Sequence, residues 1–291
     1  MLKDDNLYYV GGVIRDEYLN LPSADIDLCY EGNAIEYAQK NGFNIIKTNP
    51  DFGTVRILLD NKEIDIASTR TEAYPQKGHL PKVDNIGCAL RDDLKRRDFT
   101  INAMAKRTTD GELIDYFSGL EDIKNKKLRV IHKNSFIDDP TRIIRGLKFS
   151  VRFGFELSSE TKLLQNEYLS NINYDMSYHR IRKELVETFN LNSAKAYDIF
   201  VEQGIYKLLG NVSAPKIKGE NIKNALKGIK TDYIWLFYLT PFIEEGFSFD
   251  IIYPKRAEKR IIEWVEKLKY QKPVNNTPNE SIIIRRMLDN A

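Results

Sequence analysis

Ten residues constrain this chain more than any others: SADIDLCYEG, residues 23–32. They read as a strand, yet they carry Asp25 and Asp27 one residue apart among apolar neighbours. Side chains at i and i+2 of a strand share a face. The two carboxylates therefore stand side by side, while Ile26 and Leu28 point into a core. Like charges this close repel and raise one pKa unless a cation sits between them. Mg2+ suits the place, as a hard ion that takes carboxylate oxygens and keeps positions for water and phosphate. The plain alternative is a solvent-facing Asp-x-Asp at a strand end.

The flanks bear on that choice. Upstream, YYVGGVIRDEYL sets Gly11 and Gly12 between a strand and a helix. Such a turn lets backbone N–H groups approach phosphate, and Arg15, one turn further on, reaches the same anion. Downstream, Asp65 in KEIDIAST alternates with Ile64 and Ile66 and so projects away from the core. If the two strands are neighbours, three carboxylates converge. That set holds two metal ions about 4 Å apart, which activate a hydroxyl and stabilise a leaving pyrophosphate.

The organisation agrees with an α/β head. LYYV and DIDLCY are strands; NAIEYAQKNG is a helix closed by Gly42; TVRILLD and EIDIAST form a hairpin across the turn Asn61–Lys62. Beyond about residue 131 strand signals almost vanish. DDPTRIIRGLKFSVRFGF carries Ile143, Ile144, Leu147, Phe149 and Val151 at helical spacing, with Asp139 as N-cap and Pro140 first in the helix. YHRIRKELVETF and KAYDIFVEQGIYKLL continue as helices. The polar stretch in QKPVNNTPNESIIIRRMLDNA reads as a loop before a last short helix. The expected domains are a head at 1–131, a helical neck at 132–190 and a short helical body at 191–291.

Composition excludes little. The chain has 291 residues, 42% hydrophobic and 30% charged, as in a soluble globular protein. Its longest apolar run, YIWLFYLTPFI, is too short to span a bilayer. The N-terminus lacks a signal-peptide layout, and Cys29 and Cys88 form neither a disulfide framework nor a metal pattern, which points to a cytoplasmic address. Residues 1–145 hold 22 basic against 24 acidic side chains, residues 146–291 hold 22 against 18. The positive half is suited to phosphate, or is simply a solvated surface.

Over about residues 7–190 these features resemble the nucleotidyltransferase superfamily, and more closely the class II tRNA nucleotidyltransferases (CCA-adding enzymes) and bacterial poly(A) polymerases. LKRRDFTINAMA, residues 94–105, is similar to the family's ribose and phosphate motif. The resemblance implies Arg97 and Asp98 near the ribose 2′-hydroxyl, with Asn102 beside them. In LIDYFSGLEDIKNKKLRVI, Asp115 and Gly119 read as structural. DDPTRIIR resembles the template motif, usually Glu-Asp-x-x-Arg, with Asp138 in the Glu position. It implies that Asp139 and Arg142, i and i+3 on one helical face, read the incoming base, with Arg145 also at the nucleotide. Cytosine and adenine each show an amino donor beside a ring-nitrogen acceptor; Asp accepts from the first and Arg donates to the second. Guanine and uracil present the opposite pattern.

TRTEAYPQKGHLPKV, residues 69–83, resembles the head's flexible loop and favours A addition. YHRIRKELVETF resembles the neck helix, where Arg180, Arg182 and Lys183 meet tRNA or triphosphate, or form a solvated face. Past residue 190 no motif is visible. Lys216, Lys218 and Lys223, in a stretch of five lysines against one glutamate, are suited to acceptor-stem phosphates. The family usually has a longer body and tail.

The implied activity is template-independent, Mg2+-dependent transfer of CMP and/or AMP from CTP and ATP to a tRNA 3′ end, with two metal ions held by Asp25 and Asp27 and assisted by Asp65. A-only addition, poly(A) synthesis, a catalytically silent RNA-binding relative and an antibiotic nucleotidyltransferase are the competing readings.

Overall fold

The computed structural model describes residues 2–23, 27–172, 176–227, 231–252 and 254–269. The chain divides into two compact units, Met1–Asp139 with Glu156–Thr161, and Pro140–Phe155 with Lys162–Ala291.

The first unit is a mixed α/β head. Its strands are β1 (Leu7–Val10), β2 (Asp27–Tyr30), β3 (Asn44–Asn49), β4 (Thr54–Leu59), β5 (Lys62–Ser68), β6 (Arg70–Ala73), β7 (Lys82–Ile86), β8 (Ala105–Arg107), β9 (Leu113–Ile114), β10 (Lys127–Leu128) and β11 (Glu156–Leu157). Seven of them form one sheet in the order β3-β4-β5-β2-β1-β8-β9. Helices α1 (Gly12–Tyr18), α2 (Ala34–Lys40), α3 (Leu90–Lys95), α4 (Gly119–Lys124) and α5 (Ser135–Asp138) accompany it.

Strand β2 is buried at both Leu28 and Cys29 because the sheet is covered on both faces at its centre. Leu28, Val55, Ile57 and Ile66 pack with Ala34, Tyr37 and Ala38 of α2. Tyr8, Val10, Cys29 and Ala105 pack with Leu90 and Leu94 of α3 on the other side. Helix α2 starts where Asn33 caps it, its side chain accepting from Ile35 N (3.0 Å) and Glu36 N (3.3 Å), a contact that contributes about 1 kcal/mol. It ends, as expected, before Gly42 at φ 65°.

Two local expectations shift. The hairpin turn is Asp60–Asn61, at φ 50° and 59°, so Lys62 belongs to β5 and pairs with Leu59. Both residues of a two-residue turn of this kind need positive φ, which Asp and Asn adopt more readily than Lys. Residues 69–83 are not wholly a loop: β6 and β7 pair antiparallel and leave only 74–81 between them.

Asp115 is structural, as the sequence implied. Its carboxylate accepts from Gly119 N (2.8 Å) and Leu120 N (2.9 Å), capping α4. At Gly119 a Cβ would lie 2.3 Å from the Thr100 carbonyl oxygen, so only glycine allows this approach. Short strands β10 and β11 pair in parallel, and β11 is the strand structure described after residue 131.

The second unit is helical: α6 (Thr141–Phe153), α7 (Ser159–Ser170, whose first residues lie in the head), α8 (Tyr178–Leu191), α9 (Ser193–Glu202), α10 (Gly219–Ala225), α11 (Ile234–Leu239), α12 (Pro241–Glu244) and α13 (Arg256–Lys269). Ile143, Ile144, Leu147, Phe149 and Val151 of α6 are buried, and Gly154 at φ 72° ends it. Gly204, at φ 67°, breaks KAYDIFVEQGIYKLL into α9 and a 3-10 turn. Phe189, Tyr197, Phe200, Tyr238 and Phe242 form a buried aromatic cluster with ring centroids from 5.7 to 6.2 Å apart. The apolar run at 234–239 is thus core helix, and no helix among the described residues is long and apolar enough to cross a membrane. On α13 Ile262 is buried; the loop and helix expected at 271–291 lie outside the described residues.

Candidate active site

Strands β2 and β5 pair in parallel, with Asp27 directly opposite Asp65. This answers the condition the sequence left open: the two strands are neighbours. Asp25 lies outside the described residues, so the third carboxylate is not placed. The register continues outward, Asp65 opposite Arg56 of β4 and Arg56 opposite Lys47 of β3. One transverse row therefore runs Lys47, Arg56, Asp65, Asp27. All four line a cavity of about 420 Å³, together with Val10 and Arg97.

Asp65 is not a bare carboxylate. Arg56 grips it in a fork, Nε to Oδ1 and Nη2 to Oδ2 at 2.7 Å each, while Nη1 donates to Glu63 Oε2 at 3.1 Å. Both side chains of the fork are about half exposed (44% and 52%), so the pair borders the cavity rather than the core.

The glycine turn is filled by guanidinium groups. Gly11 sits at φ 72°, and a Cβ there would lie 3.0 Å from Arg97 Nη1; a Cβ on Gly12 would lie 3.3 Å from Arg15 Nη2. Arg15 is buried. It donates to Asp16 Oδ1 (2.8 Å) and Asn102 Oδ1 (2.6 Å), and Asn102 Nδ2 in turn donates to Asp98 Oδ1 (2.9 Å). Asp98 Oδ1 also accepts from Phe99 N at 2.8 Å. The motif residues Arg15, Asp98 and Asn102 thus form one network, and Arg97 faces the carboxylate cavity.

Arg97 is set by Asp93, a residue the sequence reading passed over. Asp93 is fully buried and accepts from Arg97 Nη2 (3.0 Å), Arg96 Nη2 (2.8 Å) and the Arg70 backbone N–H (3.2 Å). Burial works to raise its carboxyl pKa, and the two guanidiniums outweigh it, so the group lies below the ordinary carboxylate range. The i+3 and i+4 spacing to Arg96 and Arg97 was the available signal. Lys47 and Arg56 were also missed. A charged residue inside TVRILL was visible, but its partner depends on register.

The template residues divide between the units. Asp139 ends the head in extended conformation (φ −142°), Pro140 is already helical at φ −65°, and α6 begins at Thr141. The assigned helix thus starts one residue after the expected first position, with Asp139 just before it and Arg142 in its first turn. Both are buried. In the helical unit Arg145 lies 3.5 Å from Glu184 and stacks on Phe149, and Arg180 donates to Thr141 Oγ1 at 3.4 Å. Arg182 turns inward, paired with buried Glu258 and set over Trp235, because aromatic and carboxylate together offset its burial. Lys183, Lys216, Lys218 and Lys223 are exposed, Lys223 at 3.2 Å from Glu220.

A mixed sheet with two register-paired aspartates beside a glycine turn and an arginine is the arrangement that the resemblance to nucleotidyltransferases implied. Comparison with known proteins agrees: residues 7–129 match the family described as the poly A polymerase head domain. An A-adding tRNA nucleotidyltransferase of Aquifex aeolicus is 46% identical over 164 residues, 54% of this chain and 20% of the relative. The A-adding tRNA nucleotidyltransferase of Halalkalibacterium halodurans is 35% identical over 219 residues, 70% of this chain and 51% of the relative. The chain thus spans a fifth of the first and about half of the second. The solved structure of the Thermotoga maritima CCA-adding enzyme complexed with tRNA matches with a TM-score of 0.70 and 28% identity, over 98% of this chain and 74% of that one.

Proposed function

We propose that this protein is an RNA nucleotidyltransferase that adds CMP and/or AMP, from CTP and ATP, to the 3′ end of tRNA with release of pyrophosphate. The observation that supports it is the register pair Asp27 and Asp65, lining one cavity with Lys47, Arg56 and Arg97. Two carboxylates beside three cations suit a site for a metal-bound polyphosphate. The named relatives and the tRNA-bound structural neighbour support the substrate class.

The donor set fits Mg2+: hard carboxylate oxygens on neighbouring strands, facing a cavity with room for water and phosphate. Asp27 and Asp65 would hold it, with Asp25 as the expected third ligand. Bound there, the ion supplies Lewis acidity at the α-phosphate and lowers the pKa of the attacking hydroxyl. The protein's own groups do the rest. Arg97, held by Asp93, offers fixed positive charge to the polyphosphate, and Lys47 adds to it. The buried Arg15, Asn102 and Asp98 network stiffens the motif that resembles a ribose-recognition element. Asp139 and Arg142 select cytosine and adenine by their donor and acceptor pattern, with Arg145 beside them; a mismatched base leaves buried groups unpaired, at about 1–3 kcal/mol each.

Residues 132–190 are read as a neck and 191–291 as an RNA-binding body, in which exposed Lys183, Lys216, Lys218 and Lys223 and the adjacent Arg180 meet the phosphate backbone. A tRNA substrate places the work in the cytoplasm. A-only addition is the second reading, favoured by the A-adding relative at 46% identity. The test supplies the purified protein with tRNA ending at the discriminator base, after one C or after CC, with each labelled nucleotide. Sequencing of the product 3′ ends separates full CCA, A-only and poly(A) addition, and no incorporation from any nucleotide refutes the proposal.

A further inference from the structure

We propose that Arg56 is the positioning residue for Asp65, an internal counter-ion that occupies the carboxylate until a divalent cation displaces it. This rests on the metal-dependent reading above and assigns a role to a residue outside its motifs. The geometry is a two-point fork: both Asp65 oxygens accept from Arg56 at 2.7 Å. A carboxylate engaged at both oxygens has fewer lone pairs to offer a metal, so the cation and the guanidinium compete for the same atoms.

Three features make the exchange feasible. The pair is about half exposed, where ion pairs are weak and readily broken. Glu63, two residues before Asp65 on the same face of β5, already accepts from Arg56 Nη1 at 3.1 Å. The guanidinium therefore keeps a partner when Asp65 is taken. Lys47 follows Arg56 in the transverse row, so two positive charges face any lone cation entering the cavity. A metal carried by a polyphosphate meets the same charges as attraction. The row thus favours metal that arrives with nucleotide over metal alone.

The experiment measures Mn2+ binding by the full chain without nucleotide, from the paramagnetic resonance signal of free Mn2+. It compares the wild type with Arg56→Gln, Asp65→Asn, Asp27→Asn and the double variant Arg56→Gln/Asp65→Asn, with thermal melts to confirm folding. Arg56→Gln is expected to tighten Mn2+ binding about two- to fivefold, the range over which exposed pairs act. That gain is expected to vanish in the Asp65→Asn background, because it acts through that carboxylate. Two outcomes overturn the proposal: Arg56→Gln binding no tighter than wild type, or a gain that persists undiminished beside Asp65→Asn, which marks a general charge effect. If Asp65→Asn weakens binding while Arg56→Gln changes nothing, this inference fails and the metal reading stands. If neither Asp27→Asn nor Asp65→Asn weakens Mn2+ binding, both fail.

Discussion

Asp27 of β2 and Asp65 of β5 face each other across a parallel strand pairing, 38 positions apart in the chain and direct neighbours in the sheet. Strand register places them together, and an antiparallel neighbour on either side then supplies Arg56 and Val10.

Asp27→Ala is expected to abolish nucleotide transfer while leaving the fold nearly intact, since Asp27 is exposed at the start of its strand. Loss of a metal ligand removes its charge stabilisation from the transition state, a reduction of about a hundredfold or more. Single-turnover transfer with labelled ATP, alongside a circular dichroism melt, measures both. Retained transfer contradicts the assignment.

Arg142→Ala is expected to blur base choice more than it slows transfer. Competing CTP against UTP, and ATP against GTP, in one reaction gives the discrimination directly. Discrimination equal to the wild type's removes Arg142 from base selection.

Asp93→Asn is expected to cost about 3 kcal/mol in urea unfolding at neutral pH, because it leaves two guanidiniums short of their shared partner. The sign with pH follows from the lowered carboxyl pKa. The folded value lies below the unfolded value of about 3.9, so the stabilisation is present above that pH and is lost as pH falls through the folded value. The variant's stability is therefore expected to vary less with acid than the wild type's.

Tyr238 gives the opposite limb. Burial first, then Glu220 and Asp198, push its hydroxyl pKa from 10.0 up to about 12. A raised folded value means full stabilisation below pH 10 and progressive loss between pH 10 and 12. Tyr238→Phe is expected to flatten that decline in urea melts across the interval.

Gly119→Ala is expected to destabilise the head by about 3 kcal/mol, since the new methyl would meet backbone oxygen, which cannot rotate aside. Denaturant unfolding reads it.

Much of this was legible because local chemistry and tertiary placement agree. Gly42 as a helix stop and α6 as a buried helix each depend on a few adjacent residues. The pairing of Asp27 with Asp65 was legible as a condition, since alternation says which face a side chain takes but not which strand lies alongside. The Arg56 fork was invisible for that reason. The dipeptide Asn-Lys suggests a turn one residue later than Asp60–Asn61, and the positive φ that both turn residues need decides the place. Asp139 reads as the N-cap of α6 from its proline neighbour, and its backbone is extended as an N-cap's is, with Pro140 already helical and α6 running from Thr141. Arg182 reads as a surface cation in YHRIRKEL, and its burial depends on Trp235 and Glu258, more than 50 positions away.

The Asp60–Asn61 turn has a consequence for how this protein can vary. Its two residues leave no slack between β4 and β5, and β5 is anchored by β2. Adding a single amino acid at that tip would slide β4 by one step and present Val55 or Ile57 to Asp65, turning greasy side chains toward water and stranding an arginine among them. Descendants of this sequence are free to exchange the identities at that tip, within the types that accept a left-handed backbone, but not to change its length.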